Sequence, residues 1–288
     1  MVKDRIEATY SCVTCAIGSL VTLFEKGLVP GEKKDTTMRA VLKYFSDLDY
    51  NQPPPKIGKE MHHIIREAME NPDPYKDVKY HYNQVLLDQL PQLQGKVKTA
   101  DDPFQLALRL AIAGNIIDFG PNQKFDISAT MEKAKSVSPA IDDSEALRNA
   151  ILDAETILYL GDNAGEIVMD RLFLETINHP HVYFAVRNAP IINDVTFEDA
   201  HMVGIDKIAT VISNGDDAPG TILESTSPEF RELFDSVDVI ISKGQGNFEG
   251  LSGCSRNIYF LLMVKCDHVA SFLGVKKGDF VVKNVNGN

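Results

Sequence analysis

The chain has no tryptophan, no excess of basic residues and only four cysteines in 288 residues. The missing tryptophan carries little functional meaning; the missing positive charge carries more. Lysine and arginine number 29 against 41 aspartates and glutamates, a net charge of −12. Such a chain has no bulk attraction for nucleic acid or for an anionic membrane, although a local basic pocket can still hold an anion. No apolar run reaches the length of a membrane span. Met1-Val-Lys-Asp-Arg-Ile-Glu7 is not followed by the apolar core of a secretory signal, which places the chain in the cytoplasm. No Walker A or G-x-G-x-x-G pattern occurs, and there is no internal repeat or low-complexity tract. His62, His63, His81, His179, His181, His201 and His268 lack zinc spacing and read as surface or core side chains. Cys12-Val-Thr-Cys15 is a C-x-x-C pair, but Cys254 and Cys266 are too far apart for a second zinc knuckle. Reduced thiols come first for these four, a soft-metal site second, and a disulfide third.

What is present is an ordinary globular composition, 44% hydrophobic and 24% charged. Residues 1–100 read as short helices joined by proline turns: Cys15 to Phe24, a segment carrying Met38 to Leu48 capped by Thr36 or Thr37, Ile57–Met69, and one longer helix from Tyr75 to Leu93. Asp101-Asp-Pro103 opens a further helix, apolar nearly all round and therefore buried. It delivers Gly114, Asn115 and Asp118, which also read as a helix cap with a polar tail. Helices around Ile127–Val137 and Ser144–Leu152 follow.

From Thr156 the texture changes. Thr156–Leu160, His181–Val186, Lys207–Ile212, Val237–Ile241, Ile258–Val264 and Phe280–Val282 are β-branched and aromatic runs without polar alternation. Such strands are covered on both faces. The expected fold is α/β: a three-layer α/β/α sandwich with a mostly parallel sheet over residues 101–288, plus an N-terminal helical subdomain over residues 1–100.

In a parallel sheet the segments following these strands share one rim, where ligands bind. Asp162, Asn163 and Asp194 offer the oxygen ligands that Mg²⁺ or Mn²⁺ prefers. Lys243 heads a Gly244-Gln245-Gly246-Asn247 turn whose small residues let backbone N–H groups approach a phosphate, with the ammonium adding charge. Gly165, near a helix start, offers further N–H donors toward an anion. Each feature also has a plainer reading. Asp162-Asn163-Ala-Gly165 caps a helix equally well, Asn193-Asp194 can cap a helix starting at Val195, and Lys243-Gly-Gln-Gly246 can be a solvated loop.

The segments Gly161-Asp-Asn-Ala-Gly-Glu166, Val186-Arg-Asn-Ala-Pro-Ile-Ile-Asn-Asp194 and Ser242-Lys-Gly-Gln-Gly-Asn-Phe-Glu249, in that order, resemble the three signature stretches of the metal-dependent, ARMT-like damage-control phosphatases. Gly114-Asn115 with Asp118 also matches, as does the C-x-x-C of the stand-alone prokaryotic branch. The resemblance covers essentially the whole chain. It implies a phosphatase acting on small phosphorylated metabolites, such as sugar phosphates, nucleotides or damaged cofactor phosphates, with Mg²⁺, Mn²⁺, Co²⁺ or Ni²⁺ as cofactor. On that resemblance Asp162, Asn163 and Asp194 are metal ligands and, with Lys243, the catalytic set. Lys243, Gly244, Gln245, Gly246 and Asn247 grip phosphate, and Asn115, Glu166, Arg187 and Asn188 are supporting or substrate-binding residues. Arg187-Asn-Ala stands where many relatives carry Lys-Gly or Lys-Ser, a departure that bears on substrate preference. The expected partner is a small-molecule phosphate ester, with no nucleic acid and no membrane. Water or a carboxylate can be the nucleophile; Asp162 is not in an Asp-x-Asp context, which favours water. The alternatives are a protein that binds metal and phosphometabolite without turnover, and a carboxyl methyltransferase, for which no S-adenosylmethionine signature is evident.

Overall fold

A computed structural model of the chain describes residues 5–114, 131, 132, 134 and 136–285. Asn115, Asp118 and most of the helix expected around Ile127–Val137 lie outside the described residues.

The N-terminal region is helical, as its punctuation requires. Helices α1 (Tyr10–Glu25), α2 (Lys34–Ser46) and α3 (Pro54–Met69) come first, then α4 (Lys76–Leu87), α5 (Leu90–Lys98) and α6 (Pro103–Ala113). Two details differ from expectation. The single helix read from Tyr75 to Leu93 is two, because Pro91 has no N–H to donate and is tolerated only in a first turn, where α5 places it. Thr36 and Thr37 do not cap α2. They lie inside it, and their hydroxyls donate to the Lys33 carbonyl at 2.9 and 2.7 Å. Asp102 does cap α6, accepting from the Gln105 N–H at 3.0 Å.

The rest alternates: β1 (Ile141–Asp142), α7 (Ser144–Asp153), β2 (Ile157–Leu160), α8 (Glu166–Ile177), β3 (Val182–Val186), α9 (Phe197–Val203), β4 (Thr210–Ser213), α10 (Pro228–Ser236), β5 (Val239–Lys243), α11 (Gly244–Leu251), β6 (Ile258–Met263), α12 (Asp267–Leu273) and β7 (Phe280–Asn284). The two-residue β1 is too short to leave a periodic signal. The strands form one sheet in the order β1-β7-β6-β5-β2-β3-β4. Every neighbouring pair is parallel except β6 with β7.

Successive strand residues feed opposite layers. Ile157, Tyr159, Phe184, Val186 and Ile241 join α4 to α9 on one face. Leu158, Leu160, Ala185, Ile240 and Phe260 join α10 to α12 on the other. This two-sided burial is what selected apolar runs over alternation. A third cluster, built on Leu20, Leu23, Val41, Met61 and Ile65, knits α1, α2 and α3 together. Among the described residues no helix is long and apolar enough to cross a membrane.

The topology fixes where a ligand can sit. From β2 the chain moves outward through β3 and β4. It then returns to the other side of β2 as β5 and continues to β6. The direction therefore reverses between β2 and β5, and their carboxyl ends open a crevice.

Candidate active site

The β2/β5 register pairs Leu160 with Ser242. Two residues further on, Asp162 meets Gly244. Gly244 has φ +80°, and a Cβ there would lie 1.9 Å from Asp162 Oδ2. Only glycine tolerates both the backbone conformation and the approach. Gly161 is confined too, since its Cβ would come within 2.9 Å of the Phe184 ring and Val195.

Two strand ends are then stitched together. Asn163 and Asp194 form an isolated antiparallel bridge. The Ala164 N–H donates to the Asn193 carbonyl and the Val195 N–H to the Asp162 carbonyl, both at 2.9 Å. The turn leading into Asp194 holds Ile192 at φ 45°, a conformation that β-branched residues resist. Asp194 does not cap the following helix. Thr196 caps α9 with Asp199 in a reciprocal box, which leaves the Asp194 carboxylate to the crevice. Gly165 offers no N–H to an anion, because its amide donates to Asn83 Oδ1 at 2.6 Å.

Beneath these residues lies a buried polar chain. Asn163 Nδ2 donates to Asp162 Oδ2 at 2.6 Å and to Glu166 Oε2 at 3.1 Å. Carboxylates only accept, so both amide protons are committed and Oδ1 is turned away from them. Lys243 is fully buried, and its ammonium donates to Glu166 Oε1 at 2.6 Å, to the Ala111 carbonyl at 2.8 Å and to Asp170 Oδ1. All three of its protons are used inside the fold, so in this structure the ammonium sits under the rim and not on a ligand. Tyr159 donates to the same Asp170 oxygen at 2.7 Å.

A second chain runs through Arg187. Its Nε donates to Asp194 Oδ2 at 2.8 Å and its Nη2 to Asn247 Oδ1 at 3.1 Å. Asn247 in turn donates to the Lys243 carbonyl at 2.7 Å and the Gly161 carbonyl at 3.1 Å, and accepts from Thr221 at 2.8 Å. It therefore clasps the ends of β2 and β5, with its polar atoms taken by the protein. Gly244 to Asn247 form the first turn of α11 instead of a free turn. The glycine run has a packing cause, since a Cβ on Gly246 would lie 2.3 Å from the Pro219 carbonyl oxygen. Gln245 is turned to the neighbouring loop, where it donates to Glu249 at 2.8 Å and accepts from the Lys265 N–H at 2.8 Å. Asn188 is exposed and accepts from Ser213 Oγ at 3.2 Å.

The electrostatics follow from burial. Asp162, Glu166, Asp170 and Asp194 are buried carboxylates, facing Lys243 and Arg187 as the buried cations of the same chains. Burial, reinforced by Glu166 and Asp194, pushes the Asp162 carboxyl up to about 7. Asp194 is also raised by burial, against the pull of Arg187. Burial raises Asp170 to about 6, with Lys243 opposing. For Lys243 the burial penalty is more than reversed by Asp170 and Glu166, so its pKa lies above the usual lysine value. Four buried carboxyl groups face two buried cations, so full ionisation would leave two negative charges uncompensated. Oxygen donors with that excess suit a divalent cation. Among the described residues no three His, Cys, Asp or Glu side chains converge tightly enough to cage a metal by themselves. The candidate set is two carboxylates and an amide, leaving further positions to solvent or ligand. Among the described residues no disulfide joins any of the four cysteines.

Residues that sequence reasoning did not assign complete the rim. Lys265, just past β6, is exposed, and its charge favours the ionised forms of both Asp162 and Asp194. It stood on the same rim in the sequence, but an isolated lysine after a strand gives no signal. Helix α3 reaches over the opposite edge. Lys59 pairs with Asp216, while His63 and Arg66 bind Asp217 Oδ2 at 2.8 and 2.7 Å. Arg66 also donates to the carbonyl of Pro190, on the loop that carries Asp194. Contacts between residues so far apart in sequence leave no local pattern.

Residues 8–281 match the damage-control phosphatase ARMT1-like domain family. The chain is 34% identical to a damage-control phosphatase of Pyrococcus horikoshii over 282 residues, covering 96% of this chain and 97% of that protein. It is 32% identical to a damage-control phosphatase of Archaeoglobus fulgidus over 288 residues, covering 95% and 98%. A crystal structure of a DUF89 family protein from Pyrococcus horikoshii superposes with a TM-score of 0.88 at 34% identity, covering 98% of this chain and 100% of that one.

Proposed function

The chain belongs to the ARMT1-like damage-control phosphatase family, and on that premise we propose that it hydrolyses phosphomonoesters of small metabolites with a divalent cation held by Asp162, Asn163 and Asp194. The observation that carries this reading is the bridge between Asn163 and Asp194, which brings three oxygen-bearing side chains together, two of them buried carboxylates. Mg²⁺, Mn²⁺, Co²⁺ and Ni²⁺ all accept such donors. When bound, the cation supplies Lewis-acid polarisation of the phosphoryl group and offsets charge in its in-line transfer.

The chain's own residues have separate tasks in this reading. Asp162 and Asp194 orient the cation, and Arg187 holds Asp194 in place. Lys243 is the buried counter-charge paired with Glu166 and Asp170. In this reading the phosphate-facing cation is Lys265, exposed just past β6. Asn247, with Gly244 and Gly246, sets the spacing between the β2 and β5 ends. Water is the nucleophile in this reading, since Asp162 does not stand in an Asp-x-Asp context.

The test is phosphate release from a generic aryl phosphate, with added cation and with chelator. Wild type releases phosphate only with the cation, while Asp162→Ala and Asp194→Ala are inactive. Full activity in either variant would falsify this assignment.

A further inference from the structure

The polar chain below the crevice continues past the residues that face it. Asp170 lies one helical turn after Glu166 on α8, so both side chains point to the same side of the helix. Asp170 is fully buried. Its Oδ1 accepts from Tyr159 at 2.7 Å and from the Lys243 ammonium. Its Oδ2 has no hydrogen-bond partner among the described residues. An ionised carboxylate with one oxygen bare is an expensive thing to bury. Packing alone gives no reason to hold it there, because an apolar side chain of similar volume would fill the space at less cost.

What the carboxylate does is fix its neighbour. Lys243 is strung between Asp170 and Glu166, with the Ala111 carbonyl as its third acceptor. Held from behind, the ammonium fixes Glu166 through Oε1. That leaves Oε2 to receive the Asn163 amide at 3.1 Å. The amide then has both protons on carboxylates, which leaves its oxygen on the side away from them. An Asn163 amide turned over would present N–H groups to a cation, which repels it.

We propose that Asp170, itself held by Tyr159, is a positioning residue for the cation site: acting through Lys243 and Glu166, it fixes the Asn163 amide with its oxygen toward the cation. The inference rests on the cation reading above. It adds that affinity for the cation depends on a carboxylate and a phenol that never touch it. Outer groups that orient ligands are worth about 10–100-fold in metal affinity.

The experiment is calorimetric titration of Mn²⁺ into chelator-treated wild type, Asp170→Asn and Tyr159→Phe, with thermal midpoints of the cation-free proteins measured alongside. Asp170→Asn is expected to bind Mn²⁺ about 10–100-fold more weakly. Tyr159→Phe removes one hydrogen bond and leaves every charge in place. A weakening of about 3–10-fold there reports positioning and not charge. A merely structural role would lower the cation-free midpoints and leave the Mn²⁺ affinities within twofold of wild type, and that result overturns the proposal. If Asp170→Asn does not fold, Tyr159→Phe decides on the same criterion. If wild type itself binds no Mn²⁺, the cation reading falls and takes this inference with it. A wild type that binds while both variants bind equally well sinks the positioning role alone.

Discussion

Replacing Gly244 by alanine separates the geometry of the crevice from the stability of the fold. Two costs arise at this position. The first is conformational: at φ +80° an L-residue is strained by about 1–2 kcal/mol. The second is steric: the new Cβ would lie 1.9 Å from Asp162 Oδ2, far inside a carbon–oxygen contact. Carbon atoms pack at about 3.5–4.0 Å, so the carboxylate or the start of α11 must retreat by about 1 Å or more. A displacement of that size at a reacting centre costs about 10²-fold in rate. Gly274 supplies the control, with φ +71° and no atom within 4 Å of the added Cβ. Gly274→Ala carries the conformational cost alone, a fall of about 2–4 °C in Tm per kcal/mol. The assay is cation-dependent phosphate release together with thermal unfolding. Gly244→Ala is expected to lose activity by about two orders of magnitude. Gly274→Ala is expected to lose stability and keep its rate. A fully active Gly244→Ala enzyme would refute the reasoning, because the Asp162 carboxylate would then not need the position in which the fold holds it.

Other expectations concern the charges around the crevice. Asn247→Ala leaves Arg187, Thr221 and the Gly161 and Lys243 carbonyls short of a partner. Unfolding in urea should then show a loss of about 2–4 kcal/mol even without cation, and a wild-type midpoint would discount the clasp. Asp162 and Asp194 have folded pKa values above their unfolded ones, Asp162 at about 7, so the cation-free fold binds extra protons and these groups subtract stability as pH rises from about 4 through 7. A divalent cation removes that penalty, so its upward shift of Tm should be larger at pH 8 than at pH 5.5; an equal shift at both would contradict the sign. Lys265→Ala should raise KM for an aryl phosphate while changing stability by less than about 0.5 kcal/mol, since the side chain is exposed. An unchanged KM would remove Lys265 from the phosphate site.

Much of the fold was legible because its strands are buried on both faces. Thr156–Leu160 and Ile258–Val264 carry no polar alternation, and a strand of that texture needs apolar cover on both sides. Pro91 was a visible break that the long apolar periodicity from Val78 to Leu90 masked. The convergence of Asp162, Asn163 and Asp194 was readable from their places after consecutive strands. What the residues do to one another was not. Lys243 next to two glycines looks like a phosphate loop in one dimension. In three dimensions it points into the fold, because α8 brings Glu166 and Asp170 to meet it. Asn247 looked like a ligand-facing amide and is a clasp. The hold of α3 on Asp216, Asp217 and Pro190 joins segments more than a hundred residues apart and could not be inferred from any local pattern.

Diffraction from Mn²⁺-soaked crystals, at a wavelength where manganese scatters anomalously, tests whether Asp162, Asn163 and Asp194 together hold a divalent cation. An anomalous peak is expected at about 2.0–2.4 Å from one oxygen of each of the three side chains. A peak elsewhere, such as beside the Cys12 and Cys15 thiols, or no peak at concentrations that support phosphate release, would contradict it.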